Sequence, residues 1–282
     1  MKTRSFVFGL LLAALLGMLC EAGAAGINTD VLTGKCEYIP SQPTGKYGAF
    51  NKKFDERFEE FLSANRYSEK NFAMAYYNTV TGETILYNAE KWFTAASTYK
   101  LPLNMVLTER LNDGTYKESD ELSGYTLSQV RYHSIVNSNN PLSEALQRKI
   151  GAGSYAAYRL EISKYFGTAG LENDKAFLSR NIINATALLN TLKHLYENEE
   201  TYALIINYMK LASPKQYFKA GITQCEVAHK YGAVNDVFND VGIIYTEQPF
   251  LLVELSDGAG WNTPKNTAAF MYNYNVNYQN RI

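Results

Sequence analysis

Apolar residues recur along this chain with two different periods, and the switches between them mark out its elements. Phe50, Phe54, Phe58, Phe61 and Leu62 share one helical face, with Lys52, Asp55, Glu56 and Glu59 on the other. The period then shortens. Phe72 to Val80, a Thr81-Gly82 turn and Glu83 to Asn88 predict a β-hairpin rich in Tyr, Ile and Leu. A helix is predicted from Ser97 to about Leu111, stopped by Asn112-Asp113-Gly114. From Leu122 to Tyr208 the spacing is helical throughout, in segments near 126–136, 141–150, 154–166, 184–197 and 201–213. Strands return at Glu226–Gly232, Asp240–Thr246 and Phe250–Leu255, and a final helix is predicted over about Thr263 to Asn275.

This order predicts an α+β, two-lobed chain. One antiparallel sheet is built from both chain ends and covered on one face by the terminal helices, while the central helices form an all-α lobe. The sheet lobe takes about 50–96 and 220–282, the helical lobe about 97–219, and an active-site cleft is expected between them. The chain from 50 to 282 reads as one folding unit. Residues 26–49, with Gly, Pro, Thr and Ser, read as a loose lead-in.

The start of the chain reads as an export signal. Lys2 and Arg4 precede an apolar run from Phe6 to Leu19, and Ala22-Gly23-Ala24 fits a small-residue cleavage pattern, so residues 1–25 are expected to be removed. Cys20 invites a lipoprotein reading, but the preceding Leu19 is bulky. A free, secreted or periplasmic protein is the preferred expectation. The apolar run is too short for a comfortable membrane span, and nothing later in the sequence approaches one.

Composition narrows the chemistry. A formal net charge of −1 over 282 residues offers no basic surface for nucleic acid. Cys36 and Cys225 survive cleavage and either pair or stay free; sequence leaves both open. His133, His194 and His229 lack metal-ligand spacing, and no glycine-rich phosphate loop occurs, so no metal or other cofactor is expected. The partner expected is a small-molecule or peptide substrate, and the chain is expected to be a monomer.

The chemistry that remains centres on Ser97-Thr98-Tyr99-Lys100. On one helix, a serine and a lysine three residues apart lie on one face, about one turn apart. A neutral lysine amine so placed can take the serine's proton and make it a nucleophile. Lys100 reads as an exposed cleft lysine. Two further clusters follow: Ser138-Asn139-Asn140, on a break between helical segments, and Lys230-Tyr231-Gly232-Ala233, on the first late strand. Each alone has a plain structural reading, as a helix cap, a loop and a solvated strand residue respectively.

Together, in this order, the three clusters resemble those of the class A β-lactamase-like, penicillin-recognising serine hydrolases. The stretch from Gly242-Ile243-Ile244-Tyr245 to Asp257-Gly258 is also similar to that family's last hairpin, so the resemblance runs from about Phe50 onward. It implies that Ser97 is acylated with Lys100 as its base, the Lys100 amine being lowered by desolvation and by Lys230. Ser138 would relay a proton to the leaving nitrogen. Asn140 would bind the substrate's amide side chain and help place Lys100. The backbone N–H groups of Ser97 and Ala233 would form an oxyanion hole.

Three positions depart from the family pattern. Between Phe166 and Asn184 only Leu171-Glu172-Asn173-Asp174-Lys175 offers carboxylates, without the family's Glu-x-x-Leu-Asn loop. Glu172 is the candidate deacylation acid/base, yet a solvated loop charge fits it as well. Tyr231 stands where a small hydroxyl is usual, and Val241 where a carboxylate-binding arginine is often found. Weak discrimination between a ligand carboxylate and its ester is therefore expected, with Lys219 and Arg281 as spare cations to examine. The reading is a serine hydrolase forming an acyl-serine on β-lactams or related amides and deacylating weakly. A D-alanyl peptidase, an esterase, or a non-catalytic binder of cell-wall peptide or β-lactam are the alternatives.

Overall fold

The computed structural model describes residues 37–39, 48–213 and 215–279, with side chains described over 54–213 and 215–277. The signal segment, Cys36 and Arg281 lie outside the described residues; Cys225 is half-buried. In chain order, strand β1 (Glu37–Ile39) leads to helix α1 (Gly48–Asn65), then β2 (Phe72–Asn78), β3 (Thr84–Tyr87) and β4 (Phe93–Thr94). The central block holds α2 (Lys100–Asn112), β5 (Glu121–Leu122), β6 (Tyr125–Thr126), α3 (Leu127–Ile135), α4 (Asn140–Ile150) and α5 (Tyr155–Ser163). It continues through a 3₁₀ turn at Leu171–Asn173, α6 (Lys175–Ser179), β7 (Ile182–Ile183), α7 (Ala185–Glu197) and α8 (Glu199–Leu211). Then come α9 (Phe218–Gly221), β8 (Glu226–Val234), β9 (Val237–Tyr245), β10 (Phe250–Ser256) and α10 (Thr263–Gln279).

The sheet runs β1-β3-β2-β10-β9-β8, antiparallel at every pairing. The N-terminal hairpin and the C-terminal strands meet at β2 and β10, from Phe72↔Ser256 to Phe250↔Asn78. Alternation then sorts the side chains. Phe72, Met74 and Tyr76 join Leu252 and Ile244 against Phe54 and Phe58 of α1 and Met271 and Tyr274 of α10. Ala73, Ala75, Val253 and Leu255 turn the other way, into a second core with Leu188 and Leu192 of α7 and the rest of the helical lobe. Burying both faces of β10 explains its apolar run Phe250-Leu251-Leu252-Val253.

Three expectations are corrected. The helix does not begin at Ser97: residues 97–99 form a turn, and α2 starts at Lys100. The stretch from Leu122 to Tyr208 is not wholly helical, because β5 pairs β6 and Ile182–Ile183 pairs Phe93–Thr94. Two-residue pairings leave too short a pattern for alternation to register. The lead-in also contributes the edge strand β1 and the start of α1.

Candidate active site

The β4–α2 connection fixes where Ser97 stands. Ala95 N–H donates to Asn181 O at 2.9 Å, Thr98 N–H to Ala95 O at 3.1 Å, and Lys100 N–H to Ser97 O at 3.2 Å. Ala96 adopts a left-handed φ of 47°, an arrangement costing roughly 1–2 kcal/mol for an L-residue. It persists because two side chains hold the turn: Asn181 Nδ2 donates to Ala96 O at 2.9 Å, and Asn239 Nδ2 of β9 to Thr94 O at 2.8 Å. Ser97, half-buried, sits on the crest of this braced turn.

Lys100 is not an exposed cleft lysine but is 0% exposed. Its Nζ donates to Ser138 O at 2.6 Å and to Asn140 Oδ1 at 2.6 Å, with Ser138 Oγ at 3.2 Å. The Ser138 loop is presented by left-handed backbone at Ser138 (φ 51°) and by Asn139, whose side chain caps α4 through Leu142 N–H. Beneath it runs a buried ladder. Asn104 Nδ2 donates to Lys100 O at 2.6 Å and to Ser134 Oγ at 2.8 Å. Ser134 Oγ lies 2.9 Å from Ser143 Oγ, and the latter donates to Asn139 O at 2.6 Å. These bonds tie α2, α3 and α4 together directly under Lys100.

Lys230 enters from β8, the edge strand, and is also 0% exposed. Its Nζ donates to Ser138 Oγ at 3.0 Å and to Tyr231 O at 2.6 Å, so Ser138 Oγ lies between two amines. Burial holds the Lys100 amine down to about 8, opposed by the carboxylate field of Glu144. Lys230 is held well below its ordinary value, first by burial and then by the charge of Lys100, with Asp240 opposing. Desolvation is thus the leading cause at both, and the mutual repulsion is expressed at Lys230.

Gly232 is what lets β8 approach the Ser97 turn. A Cβ there would stand 2.6 Å from Ser97 N and 3.0 Å from both Ala95 O and Thr98 N. Ala233 is exposed beside it, and Tyr231 is half-buried with its ring stacked on Tyr217 at 4.6 Å. On the same face, His229 Nδ1 lies 2.7 Å from Asp240 Oδ2 and its Nε2 3.0 Å from Ala212 O, while Asp240 accepts from Phe218 N–H and Val241 N–H. Both imidazole nitrogens lie within hydrogen-bond distance of oxygens, so His229 clamps β8 to β9 and to the end of α8.

The fold therefore brings Lys100, Ser138, Asn140 and Lys230 into one hydrogen-bonded cluster, with Ser97 and Gly232 in contact beside it. It does not bring Glu172 there by any hydrogen bond. Glu172 is exposed on the 3₁₀ turn and accepts from Asn173 Nδ2 at 3.2 Å. Sequence reasoning missed Asn104, Ser134, Ser143, Asn181 and Asn239. Asn104 alone carried a signal, standing one helical turn beyond Lys100; the others reach the site only through tertiary pairing. No group of His, Cys, Asp and Glu among the described residues is arranged to hold a metal ion.

Residues 53–271 match the sequence model of the Beta-lactamase enzyme family. Among solved structures, the chain is similar to the last common ancestor of Gram-negative bacteria class A β-lactamase, with a TM-score of 0.67 and 16% identity, covering 77% of this chain and 98% of that one. PBP-A aligns with a TM-score of 0.65 and 16% identity over 78% and 95% of the two chains. A β-lactamase from Xanthomonas campestris pv. campestris aligns with a TM-score of 0.64 and 16% identity over 77% and 96%. At this identity the structural likeness speaks for the fold. No curated protein matches the sequence.

Proposed function

The chain belongs to the β-lactamase enzyme family, class A-like in fold, and from that premise we propose that it is an exported serine hydrolase. It would form a covalent acyl-enzyme on Ser97 with β-lactams or related amide and peptide substrates, and release the acyl group slowly. The observation that carries this reading is the cluster of two buried amines around Ser138. A neutral Lys100 amine has two N–H donors, and two pure acceptors face it, Ser138 O and Asn140 Oδ1, each at 2.6 Å. Its lone pair is left for a hydroxyl proton.

In the proposed sequence Lys100 takes the Ser97 proton as Ser97 Oγ bonds to the substrate carbonyl carbon, and the carbonyl electrons move to oxygen. The oxyanion is received by the N–H groups of Ser97 and Ala233, each such donor being worth ~3 kcal/mol in enzymes of this kind. Tyr231 turns its carbonyl to the free edge of β8, where Lys230 meets it. Ala233, two residues on, directs its N–H to the same edge. The C–N bond then breaks, the leaving nitrogen takes the Ser138 proton, and Lys100 returns one to Ser138. Water finally cleaves the ester. That last step needs a carboxylate in reach of a positioned water, and Glu172 lacks any hydrogen bond to the cluster, which supports slow release.

Intact-mass spectrometry after mixing with benzylpenicillin, on the parent and on Ser97→Ala, tests the reading. A stoichiometric adduct on the parent that the variant lacks is expected. Reversible binding indifferent to Ser97, with no adduct, would make the protein a binder instead of an acylating enzyme.

A further inference from the structure

Lys100 has two flanks. On one, Ser138 and Lys230 serve the leaving nitrogen in the acyl transfer proposed above. On the other stand Asn140, which that proposal gives to the amide of the acyl side chain, and the Tyr99 ring, its centroid 5.9 Å from the Lys100 amine. This second flank carries a carboxylate with no partner. Glu144 follows Asn140 by one turn of α4, so the two share a face. Helical side chains lean toward the N-terminus of their helix, which tips Glu144 back over Asn140. It is exposed and forms neither a hydrogen bond nor an ion pair with any described residue; Arg148, one turn further on, does not pair with it. Burial raises the Tyr99 hydroxyl, and the charge of Glu144 raises it further, as that charge also acts on Lys100.

Aromatic rings complete the flank. Gly151 lets α5 fold back closely on α4, for a Cβ there would stand 2.2 Å from Ser154 O and 2.9 Å from Tyr158 Cβ. The turn packs the buried Tyr158 ring against both Tyr99, with centroids 6.4 Å apart, and Tyr155, with centroids 5.6 Å apart. Tyr155 keeps 37% of its surface exposed.

We infer that this flank is a subsite for an ammonium group on the acyl side of the substrate, held by the Glu144 carboxylate beside the rings of Tyr99 and Tyr155. Resting on the acyl-transfer reading, it narrows the substrate class to acyl donors whose side chain ends in an amine. An unpaired carboxylate attracts such a group and repels an anion, and phenol rings add a cation–π contact. A neutral Lys100 does not oppose the guest. Binding also assists the chemistry: an ammonium on Glu144 offsets the charge that keeps Lys100 protonated, leaving more of the amine able to take the Ser97 proton. One helical turn rises 5.4 Å, so the amine belongs roughly 5 Å beyond the amide, the span of three methylenes.

The test uses aminopenicillanic acid acylated with γ-aminobutyrate and its neutral isostere acylated with valerate. Intact-mass spectrometry times Ser97 acylation by each, on the parent, Glu144→Gln and Glu144→Lys. The parent should favour the amine by roughly three- to tenfold, the range of an open ion pair joined by a ring contact. Glu144→Gln should bring the ratio within about twofold, and Glu144→Lys should invert it. The substitutions' own effect on Lys100 acts on both compounds and cancels in the ratio. A parent ratio near one, or a ratio that neither substitution moves, overturns the subsite. If neither compound labels Ser97, the acyl-transfer reading fails. Titration calorimetry on Ser97→Ala then judges the subsite alone: tighter binding of the amine, lost in Ser97→Ala/Glu144→Gln, upholds it, and equal affinities or no binding reject it.

Discussion

Replacing Gly232 by alanine tests the claim that β8 is held against the Ser97 turn at a distance only a glycine permits. The added Cβ would stand 2.6 Å from Ser97 N, where ordinary contact begins at 3.4 Å, so about 0.8 Å must open between strand and turn. None of the neighbours is a flexible side chain. Thr98 N–H donates to Ala95 O and Ala95 N–H to Asn181 O, and Asn239 of β9 ties the same turn from below. The strand edge must therefore move, taking Ala233 and the Lys230 amine with it. A misplacement near 1 Å costs on the order of 10²-fold in rate for a preorganised site. Overpacking costs roughly 1–3 kcal/mol, a few degrees of Tm per kcal/mol at this chain length. Time-resolved intact-mass measurement of the penicillin adduct, beside thermal unfolding by circular dichroism, reads both. A Gly232→Ala protein that acylates within threefold of the parent, at an unchanged Tm, would refute the close-approach reasoning.

Three further outcomes follow from the same geometry. Glu144 raises the Lys100 amine, and the neutral amine is the active form, so Glu144→Gln should move the acid limb of the acylation pH profile to lower pH; a limb that stays near 8 removes Glu144 from the site's electrostatics. Glu254 is buried on β10, and among the described residues neither carboxyl oxygen has a hydrogen-bond partner, Ser256 Oγ donating to Phe238 O instead; burial holds its carboxyl well above the ordinary range. The folded chain then keeps a proton that the unfolded chain loses near pH 4.3, so stability falls as pH rises through that value. Urea unfolding should accordingly show Glu254→Gln gaining on the parent between pH 4 and pH 7, and a pH-independent difference would count against a protonated Glu254. Finally, the Ser97 adduct should persist for minutes and be insensitive to Glu172→Gln; rapid hydrolysis abolished by that substitution would restore Glu172 as the deacylating base.

Much of this was legible in the chain because the relevant signals are local. The 3.6-residue stripe of Phe54, Phe58 and Phe61, the apolar run of Phe72–Asn78 ahead of the Thr81-Gly82 turn, and the polar breaks at Asn112-Asp113-Gly114 and Ser138-Asn139 each sit in a few consecutive residues. The cluster of Lys100, Ser138, Asn140 and Lys230 was readable for the same reason, as three short motifs. What escaped is what long-range packing decides. Ser97 lies before its helix because Asn181 and Asn239, distant in sequence, hold Ala96 in a left-handed turn. Lys100 is buried because the Ser138 loop closes over it, and no pattern around residue 100 announces that. Tyr231 read as a lost hydroxyl; only the packed hairpin reveals it as half of a stacked pair with Tyr217.

The meeting of β2 and β10 also dictates when the molecule can become competent. During synthesis Ser97, Lys100 and Ser138 emerge while their sheet is still half-built, with β2 presenting an open edge until Phe250–Ser256 arrives to pair with it. Pairings across so many residues close slowly, since loop entropy is lost before contacts repay it. Lys230 comes on the same late hairpin. A nascent chain thus carries Ser97 through the synthesis of residues 98–229 without the second amine or the glycine edge beside it. Bringing Lys230 and Gly232 to the Ser97 turn is therefore a late step of folding.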